Sequence, residues 1–259
     1  MSDTVTLDRD GAVAIVSNNR PDKHNAFNNE MEDRLWEVLR EVHDDPDVRA
    51  VVWRGNGPSF SSGRDTTELG ERPAGDTDFD FIERGHTQTR MFLTMPSPIV
   101  VALRGWVIGG GFERALLCDI RVAAEGTRMM LPEVTHGVIT DSGGVARLFQ
   151  IAGHGLAADL ALTGRPMEVD EALTHGVVSR VVPDDDLDEA AMDVAQRIAS
   201  APAFTVKMAR RVLSSLARPG LERSLDEEHL AQTLVFGSED YAELKAARAE
   251  GRDPVYRRK

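Results

Sequence analysis

Cysteine is almost missing from this 259-residue chain, which contains only Cys118. One thiol cannot build a disulfide framework, so the fold must rest on an ordinary apolar core. The same usage fits a reducing compartment, and a cytoplasmic protein is expected. Cys118 closes the apolar run Ala115-Leu116-Leu117, the setting of an inert buried thiol. Long hydrophobic runs are also missing: none approaches the ~18 residues that a membrane span requires. The opening residues MSDTVTLDRDG have neither the basic start nor the apolar stretch of a leader, so none is expected. Positive charge is in deficit. Lys and Arg number 30 against 43 Asp and Glu, and the net charge of −13 argues against nucleic acid or an anionic membrane as the main partner. A small phosphorylated ligand held by a local basic patch remains compatible with that balance.

Several motifs are missing as well. There is no G-x-G-x-x-G and no P-loop lysine, so a nucleotide cofactor on a Rossmann-type site is not expected. No G-x-S-x-G elbow is present, and Ser61-Ser62-Gly63 has no evident histidine partner. The seven histidines form neither HxxxH nor HExxH, and no metal site is expected. Asp184-Asp185-Asp186 lacks the glycine and spacing of a calcium loop and reads as a solvated turn.

What is present is a globular composition, 41% hydrophobic and 28% charged, with strand and helix signals in alternation. Val5-Thr6-Leu7 and residues 12–16 predict two strands around an Asp10-Gly11 turn. Met31, Leu35, Val38, Leu39 and Val42 recur at helical spacing, with Asn28 or Asn29 as cap and Asp45-Pro46 as stop. Residues 50–53 and 98–103 predict buried strands, a helix starts near Gly111, and 120–123 returns as a strand. Residues 70–80 are polar, rich in Gly, Pro and Asp, and expected to be mobile. From about residue 186 the pattern turns helical, with segments predicted at 187–200, 203–216, 221–236 and 241–250. The division expected is an α/β core over 1–195 and a helical region over 196–259.

Three carboxylates stand out. Gly109-Gly110-Gly111 between a strand and a helix exposes N–H groups where a helix favours an anion; it reads equally as a tight turn or as an oxyanion-binding turn. Glu113 follows in the first helical turn, where acids are also common for dipole reasons alone. Glu133 sits among apolar neighbours in Leu131-Pro132-Glu133-Val134; burial would raise its pKa and suit it to general acid work, while exposure would leave it a plain strand-end acid. Asp141 precedes a predicted helix, and capping is its simplest role.

Taken in order, these pieces resemble one family. Asn19-Arg20-Pro21 with Asn25-Ala26-Phe27, Phe60-Ser61-Ser62-Gly63-Arg64-Asp65, Gly105 with Gly109-Gly110-Gly111-Phe112-Glu113, Cys118-Asp119, Pro132-Glu133 and the tail Gly251-Arg252-Asp253-Pro254 are similar to the enoyl-CoA hydratase/isomerase (crotonase) family over nearly the whole chain. The resemblance implies a spiral α/β core of repeated β-β-α turns and a C-terminal helical region that builds homotrimers or homohexamers. It implies an acyl-CoA thioester substrate, with coenzyme A part of that substrate and no separate cofactor. By position, the backbone N–H groups of Arg64 and Gly110 would form the oxyanion hole. Glu113 would help activate water for attack at C3, and Glu133 would deliver a proton to C2. Lys23, His24, Ala26, Ser62, Gly63, Asp65 and Thr66 would line the coenzyme A path.

Three positions depart from the common pattern: Arg64 where a small residue is frequent, Arg114 where an apolar one is usual, and Asp141 where common hydratases carry glycine. The stretch 137–145 and the tail resemble carnitinyl-CoA dehydratases, and dienoyl-CoA isomerases also carry an acid at the Asp141 position. The expectation is a hydro-lyase on 2-enoyl-CoA thioesters, with a double-bond isomerase as the alternative and a silent acyl-CoA-binding protein as the non-enzyme alternative.

Overall fold

The computed structural model describes residues 3–68 and 75–257, so part of the polar 70–80 segment lies outside the described residues. The chain opens on a hairpin, β1 (Val5–Asp10) and β2 (Val13–Asn18), paired antiparallel around Gly11. Helix α1 (Asn29–Asp44) follows, and the Asn28 side chain accepts from the Met31 N–H at its start. Then come β3 (Ala50–Gly55), α2 (Asp78–Thr94), β4 (Ile99–Leu103), β5 (Trp106–Ile108), α3 (Gly110–Leu117), β6 (Ile120–Ala124) and β7 (Arg128–Met130). The remainder is α4 (Gly144–Thr163), β8 (Met167–Glu168), α5 (Val169–Thr174), β9 (Arg180–Val182), α6 (Leu187–Ser200), α7 (Ala203–Phe236) and α8 (Glu239–Glu250).

Two sheets share the strands. One runs β1-β2-β3-β4-β6-β9 and is parallel from β2 onward; the other runs β5-β7-β8. β4 feeds β5, and β6 feeds β7, so each of these turns of the chain lays one strand in each sheet. Ser61 adds a parallel bridge to Val107 in the same manner for the turn after β3. This is the spiral that the resemblance implied, with the helical region following it.

The continuous apolar runs are explained by burial on both faces of the large sheet. In β4, Ile99, Val101 and Leu103 enter the main core with Phe92, Phe112 and Leu116, while Val100 and Ala102 face a second core. That second core is closed by Leu187, Ala191, Val194 and Ala195 of α6. A strand with helices on both faces keeps no polar side, so it cannot show alternation.

The short elements β5, β7, β8, β9 and α5 were not read from the sequence, and two longer helices also differ from that reading. Thr77 and Asp80 form a capping box that starts α2, a helix not expected there. The segments predicted at 203–216 and 221–236 are one helix that runs through Pro219. Pro219-Gly220 reads as a break, but Leu221 and Leu225 lock the second half into the main core, and that burial outweighs the missing N–H.

Candidate active site

A cleft of about 300 Å³ opens between α2, the start of α3, the 132–142 segment and the C-terminal helices. Its walls include Arg64, Gly110, Glu113, Glu133 and Asp141, so the five residues named from the sequence for chemistry share one cavity. Of the proposed coenzyme A set, Ser62, Gly63 and Thr66 line it as well. Lys23, His24, Ala26 and Asp65 do not. The first two sit one hydrogen bond behind Ser62: its N–H donates to the His24 carbonyl at 2.9 Å and its hydroxyl to the Lys23 carbonyl at 3.3 Å. Asp65 accepts from Thr67 and from Arg20 at 3.1 Å, which holds its carboxyl below the usual range. Met95, Phe112 and Met129 are core, whereas Phe81 reaches the cleft.

Arg64 and Gly110, the residues expected to supply oxyanion donors, both border the cleft. The Phe27 N–H donates to the Gly63 carbonyl at 2.8 Å and the Asp65 N–H to the Phe27 carbonyl at 2.9 Å. In such a parallel bridge the N–H of the intervening Arg64 turns to the opposite side of its strand. Gly110 is the first residue of α3, where an N–H has no partner within its own helix. The turn before it needs glycine: Gly109 has φ +55°, and a Cβ there would lie 2.9 Å from Glu133 Oε1. The same figure shows how closely Glu133 sits against this turn.

The two glutamates occupy contrasting surroundings. Glu113 is buried, and its Oε2 accepts from the N–H groups of Ser142 and Gly144, both at 3.0 Å. Burial, and secondarily the Glu228 carboxylate, push its carboxyl up to about 7, while the two backbone donors pull the other way. Glu133 has less support: only its own backbone N–H bonds its carboxyl, and its Oε2 is buried without a hydrogen-bond partner. Burial first, and then repulsion from Glu113, raise its carboxyl well above the ordinary range. Glu133 therefore holds a proton more tightly than Glu113, and environment alone sets the two carboxyls apart.

Asp141 also lines this cleft, and its charge adds to the rise at both Glu133 and Glu228. It is not the cap of α4. Gly143, at φ +80°, holds that position with no side-chain cap. The Asp141 carbonyl instead accepts from Nε2–H of buried His86 at 2.8 Å, which ties the loop to α2.

The departures at arginine find partners within the chain. Arg64 donates to Asn29 Oδ1 and lies 3.7 Å from Glu68. Arg114 donates to both Glu32 oxygens, at 2.8 and 3.0 Å, with its guanidinium 4.7 Å above the Phe27 ring, so a stacked ion pair fills the place of an apolar side chain.

Sequence reasoning missed Glu228 and Gln232. Glu228 Oε2 accepts from the Gly143 N–H at 2.9 Å, its Oε1 from the Ser224 hydroxyl at 2.6 Å, and burial pushes its carboxyl up to about 7. Gln232 Oε1 accepts from the Ile139 N–H at 2.8 Å. A signal was available: Leu221, Leu225, Glu228 and Gln232 fall on one helical stripe, and polar groups on a core-facing stripe require partners. The structure also gathers Glu83, His86 and His229, whose ligand-type atoms lie within 4.8 Å of one another. Both rings direct Nε2–H to backbone carbonyls, and Arg90 stands 3.6 Å from Glu83.

A two-sheet spiral with paired buried carboxylates in one cleft is a build suited to an enzyme that moves protons. The enoyl-CoA hydratase/isomerase family profile matches residues 8–259, and the chain belongs to that family. It is 33% identical over 254 residues to the probable enoyl-CoA hydratase of Mycobacterium tuberculosis, covering 98% of each chain. It is also 33% identical over 264 residues to the carnitinyl-CoA dehydratase of Salmonella typhimurium, covering 99% of each. The crystal structure of an enoyl-CoA hydratase/isomerase from Pseudoalteromonas atlantica superposes with a TM-score of 0.87 at 27% identity, over 98% of this chain and 100% of that one.

Proposed function

We propose that the protein is a hydro-lyase that adds water reversibly across the 2,3 double bond of 2-enoyl-CoA thioesters. The observation that carries the reading is the contrast between its two buried glutamates, one held by two backbone donors from another segment and one with a buried oxygen that has no partner. In the forward direction, ionised Glu113 takes a proton from water as the water oxygen bonds to C3. Electron density moves to the thioester oxygen, which accepts hydrogen bonds from the N–H groups of Arg64 and Gly110. Donors so placed contribute about 10²–10³ in rate. Protonated Glu133 then delivers its proton to C2. The proton gained by Glu113 returns to Glu133 through solvent, and both residues are reset. Acid, base and oxyanion donors all come from the chain, and coenzyme A arrives with the substrate.

Asp141 supports a finer reading, a polar or cationic acyl group of the kind named for the carnitinyl-CoA dehydratase relative, since it adds negative charge beside Glu133. A panel of enoyl-CoA thioesters that includes crotonobetainyl-CoA tests both levels. Loss of the conjugated absorbance with a gain of one water in mass is the expected result. A moved double bond at unchanged mass would make the protein an isomerase, and binding without turnover would make it a silent acyl-CoA-binding protein.

Residues 196–259 are assigned to self-assembly as a homotrimer or homohexamer. Helix α7 leaves Phe204, Leu213, Leu216, Leu230 and Leu234 exposed, which supports a face covered by further copies of this chain. Among the described residues no helix is long and apolar enough to cross a membrane, and a cytoplasmic location accords with the buried single thiol.

A further inference from the structure

The segment Ser142-Gly143-Gly144 presents three consecutive N–H groups, and two carboxylates from different helices divide them. Glu113 of α3 takes the outer two at 3.0 Å each, and Glu228 of α7 takes the middle one at 2.9 Å. The segment cannot shift toward either carboxylate without losing the other. A Cβ at Gly144 would lie 2.4 Å from Glu113 Cγ and one at Gly143 would lie 2.4 Å from Leu221 Cδ1, so α3 and α7 grip it from both sides. The second Glu228 oxygen is fixed by Ser224 at 2.6 Å, which leaves this side chain little freedom to turn away.

We propose that Glu228 is a positioning residue for Glu113: it holds the 142–144 segment in the register that Glu113 uses, and it presents a second charge that Glu113 must share whenever it gives up a proton. The proposal rests on the reading of Glu113 as the base and extends it to a residue that touches no reacting atom. The charged and titratable groups around Glu228 are few. Glu113 lies on α3, and Asp141 lies on the adjoining loop. On α2, His86 is turned to the Asp141 carbonyl and Arg90 is engaged by Glu222 at 2.9 Å. On α7 itself, His229 faces Glu83. On α3, Arg114 is engaged by Glu32 and lowers the Glu113 carboxyl only as a lesser influence, while the Glu228 charge raises it. Burial comes first for both carboxyls, which are pushed up to about 7; the Glu228 charge adds to it at Glu113, and the Asp141 charge adds to it at Glu228.

The test compares Glu228→Gln with Glu228→Ala. Gln keeps an oxygen for the Gly143 N–H and an amide N–H for Ser224, but removes the charge. In Glu228→Gln the carboxyl of Glu113, followed by carbon NMR of glutamate-labelled free protein, is expected to titrate about one pH unit lower than in the parent. The acid limb of kcat/KM should move by the same amount, with KM nearly constant. Glu228→Ala should lower kcat about tenfold or more through loss of register, and Gln should restore it. The NMR titration needs no substrate, so it stands even if the hydratase reading fails. If Glu113 titrates in Glu228→Gln as in the parent, or if the Ala variant turns over as the parent does, Glu228 only fastens α7 to the start of α4 and the proposal is overturned.

Discussion

Glu113 and Glu133 carry opposite expectations for activity and stability. Glu113→Gln and Glu133→Gln should each lower kcat by about 10²-fold or more, the usual worth of a general acid or base. Steady-state hydration assays check this, and KM should change little because in the proposed reaction the carboxylates act on the acyl carbons. Stability should respond in the other sense. The folded Glu113 carboxyl is raised to about 7 from an ordinary 4.5, so between those values the folded protein holds a proton that the unfolded chain has released. Stability is therefore lost as pH rises through that window. Glu113→Gln removes the penalty and should stabilise the protein by about 1–3 kcal/mol at pH 8 and by almost nothing near pH 4.5. Thermal unfolding at the two pH values checks the sign. Gly144 is a second sensitive residue. Because a Cβ there would meet Glu113 Cα at 2.8 Å, Gly144→Ala must move α3. It should cost on the order of 10²-fold in kcat, measurable in the same assay. The two glutamates proposed for catalysis and the glycine turn could be read from ordered motifs, but capping, the simplest reading of Asp141, could not survive the geometry. A cap is defined by where the helix starts, and α4 starts two residues later than Asp141 would need.

Helices show where local pattern gives way to packing. α1 was legible because its apolar positions repeat at one spacing and its cap is a side chain three residues from its donor. α2 was less so: its start lies in a polar stretch, and its buried residues include His86 and Thr89. α7 was misjudged at Pro219 because a proline break is a local rule, whereas the helix is held by distant partners. The firmest of these is buried Arg210, which donates to Asp119 at 2.9 Å and to the carbonyls of Phe92 and Met95 at the end of α2. Arg210→Met would keep the volume and strand three acceptors. It should destabilise by about 3 kcal/mol or more, seen as a lower denaturant midpoint at unchanged slope.

At the scale of the whole molecule, the exposed apolar residues of α7 predict association. Light scattering should give three or six times the protomer mass, and Leu213→Glu with Leu216→Glu should shift the protein toward a monomer; a parent that runs as a clean monomer would sink the idea. The sequence by itself determined five strands of the larger sheet, whose apolar runs match burial in the core, and the order of motifs that places the protein in its family. It determined these because hydrophobic spacing and turn residues act over a few positions. Only the tertiary structure decided that Glu113 meets backbone donors 29 and 31 residues away, and that Glu228 reaches Gly143 across 85 residues. Those contacts depend on how α3, α4 and α7 pack, and the proton affinity of a buried carboxyl depends on everything packed around it, which no local spacing encodes.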